Sequence, residues 1–312
     1  MKVYRSLEEL PIINNAIVTQ GTFDGVHLAH KAILNRLKEL ARLHDGETVV
    51  MTFEPHPRMV LFPDDHGLHL LQTLDEKIAS LEEAGVEHLL VLPFTKAFSR
   101  LTSLQFIRDI IVNTIKTKML VIGYNHRFGK NREGTFEHLK EFASLYGFEI
   151  EEIPRQDVDA ESVSSTRIRK ALEAGEVQIA AKYLGRLYTV SGTVKEGKKF
   201  GRTIGFPTAN IDVSHPYKLI PADGVYAVQV WVDNVCYGGM LNAGFRPTVD
   251  GTMHAIEVHI FNFSEGIYGK NITIGYVDKI RDEIRFSGPD ELKKQLEKDK
   301  LHATRLLANA ID

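Results

Sequence analysis

Runs of residues typical of β-strands are spaced in two different ways along the chain, and each spacing is compatible with few folds. The first half contains five such runs, at 15–20, 47–53, 86–94, 118–124 and 148–154. Between them lie segments whose apolar residues follow helical spacing, such as 30–44 and 74–85. Strands that alternate with helices predict a parallel sheet with helices on both faces. We therefore expect a Rossmann-like α/β domain in this half.

The second half shows a different spacing. After residue 188 the runs "YTVSGTV", "GVYAVQVWV", "VCYGGML", "HAIEVHIFNF" and "NITIGYVDKI" follow closely, separated by clusters of Gly, Asp, Asn and Pro. This pattern predicts an antiparallel β-barrel or sandwich, and a helix over 289–310 is expected to follow it. The segment 164–185 between the two halves is helical in pattern. We place the domain boundary there, with domains at 1–184 and 185–312.

Composition bounds the possible partners and compartment. The 312 residues include 43% hydrophobic and 25% charged residues, enough for two cores. The net charge is only −3 and no long block of like charge occurs, so we expect no nucleic-acid partner. The single cysteine, Cys236, excludes an internal disulfide framework and a thiolate zinc site. No signal peptide or apolar span is recognisable, and we expect a cytoplasmic protein without membrane contact, monomeric or weakly oligomeric.

The stretch "AIVTQGTFDGVHLAH", residues 16–30, marks the end of the first long strand and the start of a helix. On that interpretation His27 and His30 lie on one side of the first helical turn, close to unsatisfied backbone N–H groups. Amides, the helix dipole and two imidazoles suit an anion such as a triphosphate. Two alternatives remain open: a helix that merely begins with histidines, and a metal site, which lacks a third ligand of obvious spacing.

The string "GTFDGVHLAH" resembles the histidine signature of nucleotidyltransferases that transfer AMP or CMP from a nucleoside triphosphate. The usual form ends His-x-Gly-His, and Ala29 replaces that glycine here, which narrows the space for backbone approach. The string "SSTRIR", residues 164–169, resembles a second signature of the same superfamily. Its hydroxyl groups can cap a helix and bind phosphate oxygens, and Arg167 or Arg169 offers a guanidinium. Alone, such a string is more often only a helix N-cap.

Further strings, "TFEPHP", "LDEKIASLEEAGVEHLLVLPF" and "IGYNHRFGKNREG", resemble the bifunctional bacterial riboflavin kinase/FMN adenylyltransferases, also called FAD synthetases, and this resemblance spans essentially the whole chain. It implies an ATP site formed by Gly21, Phe23, His27, His30, Ser164, Ser165, Thr166 and Arg167. It also implies a flavin side lined by Phe53, His56, Asn125, Arg127 and Phe128. Many relatives carry Asp-Phe where this chain has Asn125-His126. The two phenylalanines can instead belong to the core, and His56 can simply fix its loop.

The string "GKKFGRTIGFPTANI", residues 197–211, resembles the ATP and magnesium loop of riboflavin kinases. The resemblance implies ATP binding by Gly192, Gly197, Gly201, Arg202, Gly205, Pro207, Thr208 and Asn210. Thr208 and Asn210 present oxygen ligands of the hard kind that Mg²⁺ prefers. Taken without this context, Pro-Thr-Ala-Asn is a turn followed by a strand.

In "HAIEVHIFNF" the alternation places Glu257 on the same face as Ala255 and His259. By the resemblance, Glu257 matches the base that takes the proton of the ribityl 5′-hydroxyl group of riboflavin. The alternative is a glutamate on an edge strand, exposed to solvent. In "NAGFRPTVDG" the resemblance places Asn242 and Arg246 near the flavin, although a loop arginine is commonly only solvated.

The resemblance implies two reactions that use ATP, riboflavin, FMN and Mg²⁺. Riboflavin is phosphorylated to FMN in the second domain, and FMN is adenylylated to FAD in the first. The implied catalytic residues are Glu257, His27, His30 and Arg167. Two alternatives are a single-function adenylyltransferase whose barrel only binds flavin, and a flavin-sensing regulatory protein derived from such an enzyme.

Overall fold

A computed structural model describes residues 1–64, 67–124, 127–130, 133–154, 163–197, 200–213, 215–248 and 251–309. For residues 245–248 and 251–254 it describes the backbone only. The chain forms two compact units, Met1–Ser165 and Thr166–Asp312. No helix in these parts of the chain combines the length and the apolarity needed to cross a membrane.

The first unit contains a six-stranded sheet. Its strands are β1 (Lys2–Tyr4), β2 (Ile17–Gln20), β3 (Thr48–Glu54), β4 (His88–Pro93), β5 (Met119–Gly123) and β6 (Glu149–Ile153). All pair in parallel, in the order β1-β4-β3-β2-β5-β6. The predicted parallel sheet is therefore confirmed, and β1 is an additional edge strand. Strands β3 and β4 lie on one side of β2, and β5 and β6 lie on the other, so the strand order switches direction at β2. In sheets of this kind, ligands bind in a crevice at the carboxyl end of the strand where the order switches.

Helices cover this sheet. They are α1 (Leu28–Leu43), α2 (Pro57–Leu61), α3 (Leu74–Glu83), α4 (Ser103–Gln105), which continues as a π-helical segment (Phe106–Thr114), and α5 (Phe136–Tyr146). One core cluster joins the sheet to the π-helical segment, with Val18, Met51, Ile107 and Leu120 at most 2% exposed. Burial of these side chains is the main stabilising contribution to such a layered unit.

The second unit is a closed barrel with helices around it. Helices α6 (Ser165–Glu173), which begins at the end of the first unit, and α7 (Val177–Leu184) precede it. The strands are β7 (Tyr188–Lys195), β8 (Ala209–Asp212), β9 (Gly224–Val232), β10 (Val235–Thr248), β11 (Gly251–Ile260) and β12 (Asn271–Arg281). They pair antiparallel in the closed order β10-β11-β8-β7-β12-β9, so the barrel was the correct one of the two predicted architectures.

The short helix α8 (Phe200–Thr203) lies between β7 and β8, and the long helix α9 (Pro289–Asn309) follows the barrel. As predicted from its apolar residues, α9 packs on the barrel: Ala303 and Leu307 are buried in a cluster with Phe206 and Phe261. A buried carboxylate, that of Asp299, adds a polar attachment to β12. These contacts fix one face of α9 beside the barrel interior.

Candidate active sites

The turn between β2 and α1 is strained. Phe23 and Val26 adopt φ angles of +46° and +39°, and Gly25 between them has φ of +92°. A β-branched or bulky residue with positive φ is a genuine outlier, and such backbone persists only where neighbouring contacts enforce it. Strain of this kind is concentrated at functional sites.

Asp24 supplies the enforcing contacts. Its carboxylate is 1% exposed and accepts hydrogen bonds from the backbone N–H groups of Leu71 (3.1 and 3.2 Å) and Gln72 (3.2 Å). Its carbonyl oxygen accepts a hydrogen bond from the Ser165 hydroxyl group at 2.9 Å. The turn is thereby bound both to the segment before α3 and to the first residue of α6.

His27 is the N-cap residue of α1. Its Nδ1 atom accepts a hydrogen bond of 3.3 Å from the backbone N–H of His30, and its side chain is buried. Because a backbone N–H can only donate, Nδ1 carries no proton, and the neutral ring has its proton on Nε2. The rings of His27 and His30 stack with centroids 3.6 Å apart. His27 therefore presents an N–H donor at a helix N-terminus, where the dipole also favours an anion.

His30 has an unused nitrogen. Its Nδ1 atom is buried and, among the described residues, has no hydrogen-bond partner. Burial, followed by the charges of His27 and Lys77, holds the pKa of His30 well below its usual value. The ring is thus neutral at neutral pH before a ligand arrives, and a polyphosphate would supply a partner. In the same parts of the chain, no group of three or more His, Cys, Asp or Glu residues is arranged to hold a metal ion.

The flavin side implied for the first unit is only partly visible. Phe53 and Phe128 are 9% and 5% exposed and belong to the core cluster, where the ring of Phe53 lies 5.5 Å from that of Phe94. His56 caps α2, and its Nδ1 atom accepts a hydrogen bond of 3.1 Å from the N–H of Arg58. These contacts account for all three residues without a ligand, and their flavin roles stay predictions.

The remaining expected residues of the first site are placed as follows. Gly21 follows β2, where an added Cβ would lie 3.2 Å from the Phe23 ring. Ser164 precedes α6, while Thr166 and Arg167 form its first turn. Arg127 is exposed, and Asn125 lies outside the described residues.

A cavity of about 300 Å³ lies in the second unit. One part of its lining is apolar and comes largely from the loop before β8, from the segment that leads into α9 and from α9 itself, with Ile204, Phe206, Phe286, Leu292 and Leu296. The other part is polar and contains Thr208, Asn210, Asn242 and Glu257. A mostly apolar cleft with a few convergent polar groups is the usual form of a small-molecule site.

Glu257 lies at the middle of a row of three polar side chains. Strand β11 pairs with β8, which places Asn210 opposite Glu257, and with β10, which places Asn242 on its other side. Glu257 is 8% exposed and lines the cavity. The alternative of a solvent-exposed glutamate on an edge strand is therefore wrong, because β11 has a paired neighbour on both sides. A buried carboxylate beside two amides can orient and deprotonate a hydroxyl group.

The glycines of the loop before β8 are required by close packing. A Cβ atom at Gly197 would lie 2.1 Å from Nδ2 of Asn210, and one at Gly201 would lie 2.2 Å from the carbonyl oxygen of Phe206. Neither distance is tolerable, so only glycine allows the loop to fold onto Asn210. The other two expected glycines have different reasons: Gly192 packs against the backbone of the adjacent strand, and Gly205 has a φ of +87°.

His259 is a site residue that the sequence did not assign. Its Nδ1 atom donates a hydrogen bond of 2.7 Å to the carbonyl oxygen of Pro207, which can only accept. Burial lowers the pKa of His259, while the bond to Pro207 opposes the shift. The ring also packs against Phe206. The signal was present, since the strand alternation places His259 on the same face as Glu257.

A second cavity, of about 420 Å³, adjoins this loop. Arg202 and Tyr268 contribute to its lining, together with Phe263, and Thr208 borders both cavities. Thr208 thus lies between the first cavity and a second cavity whose charged lining residues are Arg202 and Glu265.

Glu283 contacts the row of polar side chains formed by Asn210, Glu257 and Asn242. Its Oε1 atom accepts a hydrogen bond of 3.3 Å from Nδ2 of Asn242, and a Cβ atom at Gly244 would overlap its carboxylate. Arg246 lies farther along β10, and its side chain is outside the described part of the structure.

Two family models match the chain in tandem: FAD synthetase over residues 10–167 and riboflavin kinase over residues 184–307. A crystal structure from Streptococcus pneumoniae described as a macrolide-efflux protein is 32% identical, covers 97% of this chain and 98% of its own, and superposes with a TM-score of 0.88. That match establishes the shared two-unit fold.

Curated relatives agree with the two models. The bifunctional riboflavin kinase/FMN adenylyltransferase of Haemophilus influenzae is 38% identical over 92% of this chain and 93% of its own length. Those of Escherichia coli K12 and Bacillus subtilis are 38% and 37% identical, over 97% and 94% of this chain and 97% and 93% of their own. The chain therefore belongs to the family of bifunctional riboflavin kinase/FMN adenylyltransferases.

Proposed function

We propose that the chain converts riboflavin to FAD in two steps at two separate sites, one in each unit. Phosphorylation of riboflavin to FMN takes place in the barrel around Glu257, and adenylylation of FMN to FAD takes place at the turn that carries His27 and His30. The observation that carries the first assignment is the row of Asn210, Glu257 and Asn242 in a cavity that also has an apolar part. The proposal keeps the functional boundary between 184 and 185, and the riboflavin kinase match, which begins at residue 184, supports it.

In the kinase step the apolar part of the 300 Å³ cavity receives the isoalloxazine ring, and the polar row receives the ribityl chain. Glu257 acts as the general base: its carboxylate takes the proton of the 5′-hydroxyl group while that oxygen attacks the γ-phosphate of ATP and ADP leaves. Asn210 and Asn242, on either side, orient the hydroxyl group. The burial of Glu257 supports this role, because a base shielded from water is held in one position.

ATP for this step occupies the second cavity, where Arg202 meets phosphate oxygens and Tyr268 offers an aromatic face to the base. Thr208 lies where the γ-phosphate must meet the flavin, since it borders both cavities. The oxygens of Thr208 and Asn210 form a hard donor set, and the missing Cβ at Gly197 leaves room for the Asn210 amide. These two residues would hold Mg²⁺, which neutralises phosphate charge when it is bound.

In the adenylylation step the phosphate of FMN attacks the α-phosphate of a second ATP, and pyrophosphate leaves. The nucleophile is already ionised near neutral pH, so the site must supply orientation and positive charge rather than a strong base. His27 supplies Nε2–H, His30 supplies its unused nitrogen, and the N-terminus of α1 adds its dipole. The hydroxyl group of Ser165 already donates to the carbonyl oxygen of Asp24 and so holds the turn, while Thr166 and Arg167 add further donors at the start of α6.

We further propose that the enzyme works in the cytoplasm on free small molecules, without a nucleic-acid or membrane partner, as a monomer or weak homo-oligomer. The small net charge of −3 supports the absence of a polyanionic partner.

Replacement of Glu257 by Gln tests the assignment. We expect FMN formation to fall by at least about 10²-fold, while supplied FMN is still converted to FAD. Product separation after incubation with riboflavin or FMN, ATP and Mg²⁺ measures both steps. Glu297→Gln, on the exposed face of α9, is the matched control and should change neither.

Four outcomes contradict the proposal. Loss of both steps in a folded Glu257→Gln protein would mean that the sites are not separate. Undiminished FMN formation would exclude Glu257 as the base. Wild-type protein that makes FAD only from supplied FMN would be a single-function transferase, and protein that leaves riboflavin and FMN unchanged would be a regulatory binder.

A further inference from the structure

Lys77 is a buried lysine. It lies in α3 and is 5% exposed. Lysine is almost never buried to this degree unless its ammonium group is paired, because an unpaired charge is costly to remove from water. Yet within the described parts of the chain this ammonium group forms neither a hydrogen bond nor an ion pair. A largely buried ammonium group that contacts no carboxylate among these residues points to an anion that arrives from outside the chain.

The fold places Lys77 at the turn that carries the histidine pair. The two residues before the N-cap of α3 donate their N–H groups to the carboxylate of Asp24, in the middle of that turn. Thr73 and Glu76 then form a capping box that fixes the first turn of α3, and Lys77 follows directly. The position of Lys77 is thus tied to the strained turn within a few residues.

The charges around Lys77 define the same place. Asp24 and Glu54, the last residue of β3, act on Lys77, and Lys77 acts in turn on His30. Burial lowers the pKa of Lys77, and the two carboxylates oppose that shift without contacting it. The carboxylate of Asp24 is already engaged by backbone N–H groups. The Lys77 ammonium group and His30 Nδ1, which has no hydrogen-bond partner among the described residues, therefore lie close enough to interact electrostatically.

We propose that Lys77 is a catalytic residue of adenylyl transfer, whose ammonium group binds a non-bridging oxygen of the ATP polyphosphate beside His27 and His30. This inference depends on the proposed location of that reaction. In the step, a bond forms between an FMN phosphate oxygen and the α-phosphorus of ATP. The bond from that phosphorus to the bridging oxygen breaks, and its electron pair leaves with pyrophosphate. Lys77 stays protonated and stabilises the charge that collects on the leaving group.

Replacement of Lys77 by Met, of similar length and without charge, tests this role. We expect the kcat of FAD formation from FMN to fall about 10²-fold, as for loss of one preorganised donor. Inorganic pyrophosphate should bind about 10-fold more weakly by calorimetry. The riboflavin kinase rate of the same sample should be unchanged, which verifies that the chain is folded. Lys118→Met is the matched control: Lys118 forms a surface ion pair with Glu149 at the opposite end of the sheet, and its loss should leave all three readouts unchanged.

A second substitution separates catalysis from simple charge balance. Lys77→Arg keeps the charge, but its planar group places the nitrogens differently. We expect a stable protein with reduced kcat for FAD formation, whatever the stability of Lys77→Met. Full kcat in Lys77→Arg would overturn the proposal, because a charge that only balances Asp24 and Glu54 tolerates arginine.

The location of the site needs its own control. Full kcat in Lys77→Met overturns the role of Lys77. If His27→Ala then loses FAD formation, the error concerns Lys77 alone. If His27→Ala also retains full activity, the proposed location of adenylyl transfer is wrong as well.

Discussion

The ion pair between Arg281 and Asp299 provides a quantitative test of how α9 is held on the barrel. The carboxylate of Asp299 is 2% exposed and accepts hydrogen bonds from Nη2 (2.7 Å) and Nε (3.1 Å) of Arg281 and from Nε2 of Gln295 (2.8 Å). Arg281 is itself only 18% exposed. Asp299→Leu removes the carboxylate and leaves the guanidinium group buried without its partner.

Breaking a buried pair from one side costs about 3–5 kcal/mol, because the remaining charge is uncompensated. Since Arg281 retains some contact with solvent, we expect the lower end, about 3 kcal/mol. For a unit of roughly 150 residues this corresponds to a fall in the melting temperature of about 10 °C. Trp231 in β9 is the only tryptophan of the chain, so its fluorescence during heating reports on the barrel unit specifically.

The double variant Arg281→Met/Asp299→Leu should recover most of the lost stability, because no unpaired charge remains buried. Glu297→Leu, an exposed position on the same helix, controls for the change in composition. A loss of less than about 1 kcal/mol in Asp299→Leu, or a double variant as unstable as the single one, would refute the reasoning and leave apolar packing as the attachment of α9.

Two further expectations concern histidines. The hydrogen bond from His259 Nδ1 to Pro207 fixes the loop that carries Thr208, so His259→Asn, which keeps a donor at that position, should retain most kinase activity. His259→Leu should raise the KM for Mg-ATP at least about 10-fold and spare FAD formation from FMN. Equal effects of the two substitutions would exclude this positioning role. Because the pKa of His30 lies well below its usual value, its ring should stay neutral as the pH falls through 6.5 in the free protein, and added pyrophosphate should raise that pKa. Histidine ¹⁵N NMR titration measures both effects. An imidazolium signal for His30 at pH 7 without ligand would contradict the assignment.

The sequence predicted the elements whose own residues specify them. All five strands expected in the first half are present, because long apolar runs between helical segments have few other uses. Strand β1 (Lys2–Tyr4) could not be predicted, since three residues carry no period and only pairing with β4 makes them a strand. The closure of the barrel could not be predicted for the same reason: alternation identifies strands, whereas closure depends on pairing between residues far apart in the chain.

The same distinction holds for the candidate sites: features of a single segment were predictable, whereas contacts between distant residues were not. The alternation placed Glu257 on the correct face, but the flanking Asn210 and Asn242 follow from the register of three strands. The bond from His259 to Pro207 likewise joins residues distant in sequence. Lys77 did leave a signal. It follows Leu74 by three residues and precedes Leu81 by four, so a lysine occupies the apolar stripe of an amphipathic helix.

Thr208 borders both cavities of the barrel unit, and this shared boundary has a stereochemical consequence. Two substrates that meet at one side chain need no phosphorylated protein intermediate to carry the group between them. On the proposed assignment of ATP and riboflavin to these cavities, the phosphoryl group passes in line from one cavity to the other in a single displacement. A single in-line displacement inverts the configuration at phosphorus. A chiral γ-phosphate would therefore appear in FMN with inverted configuration.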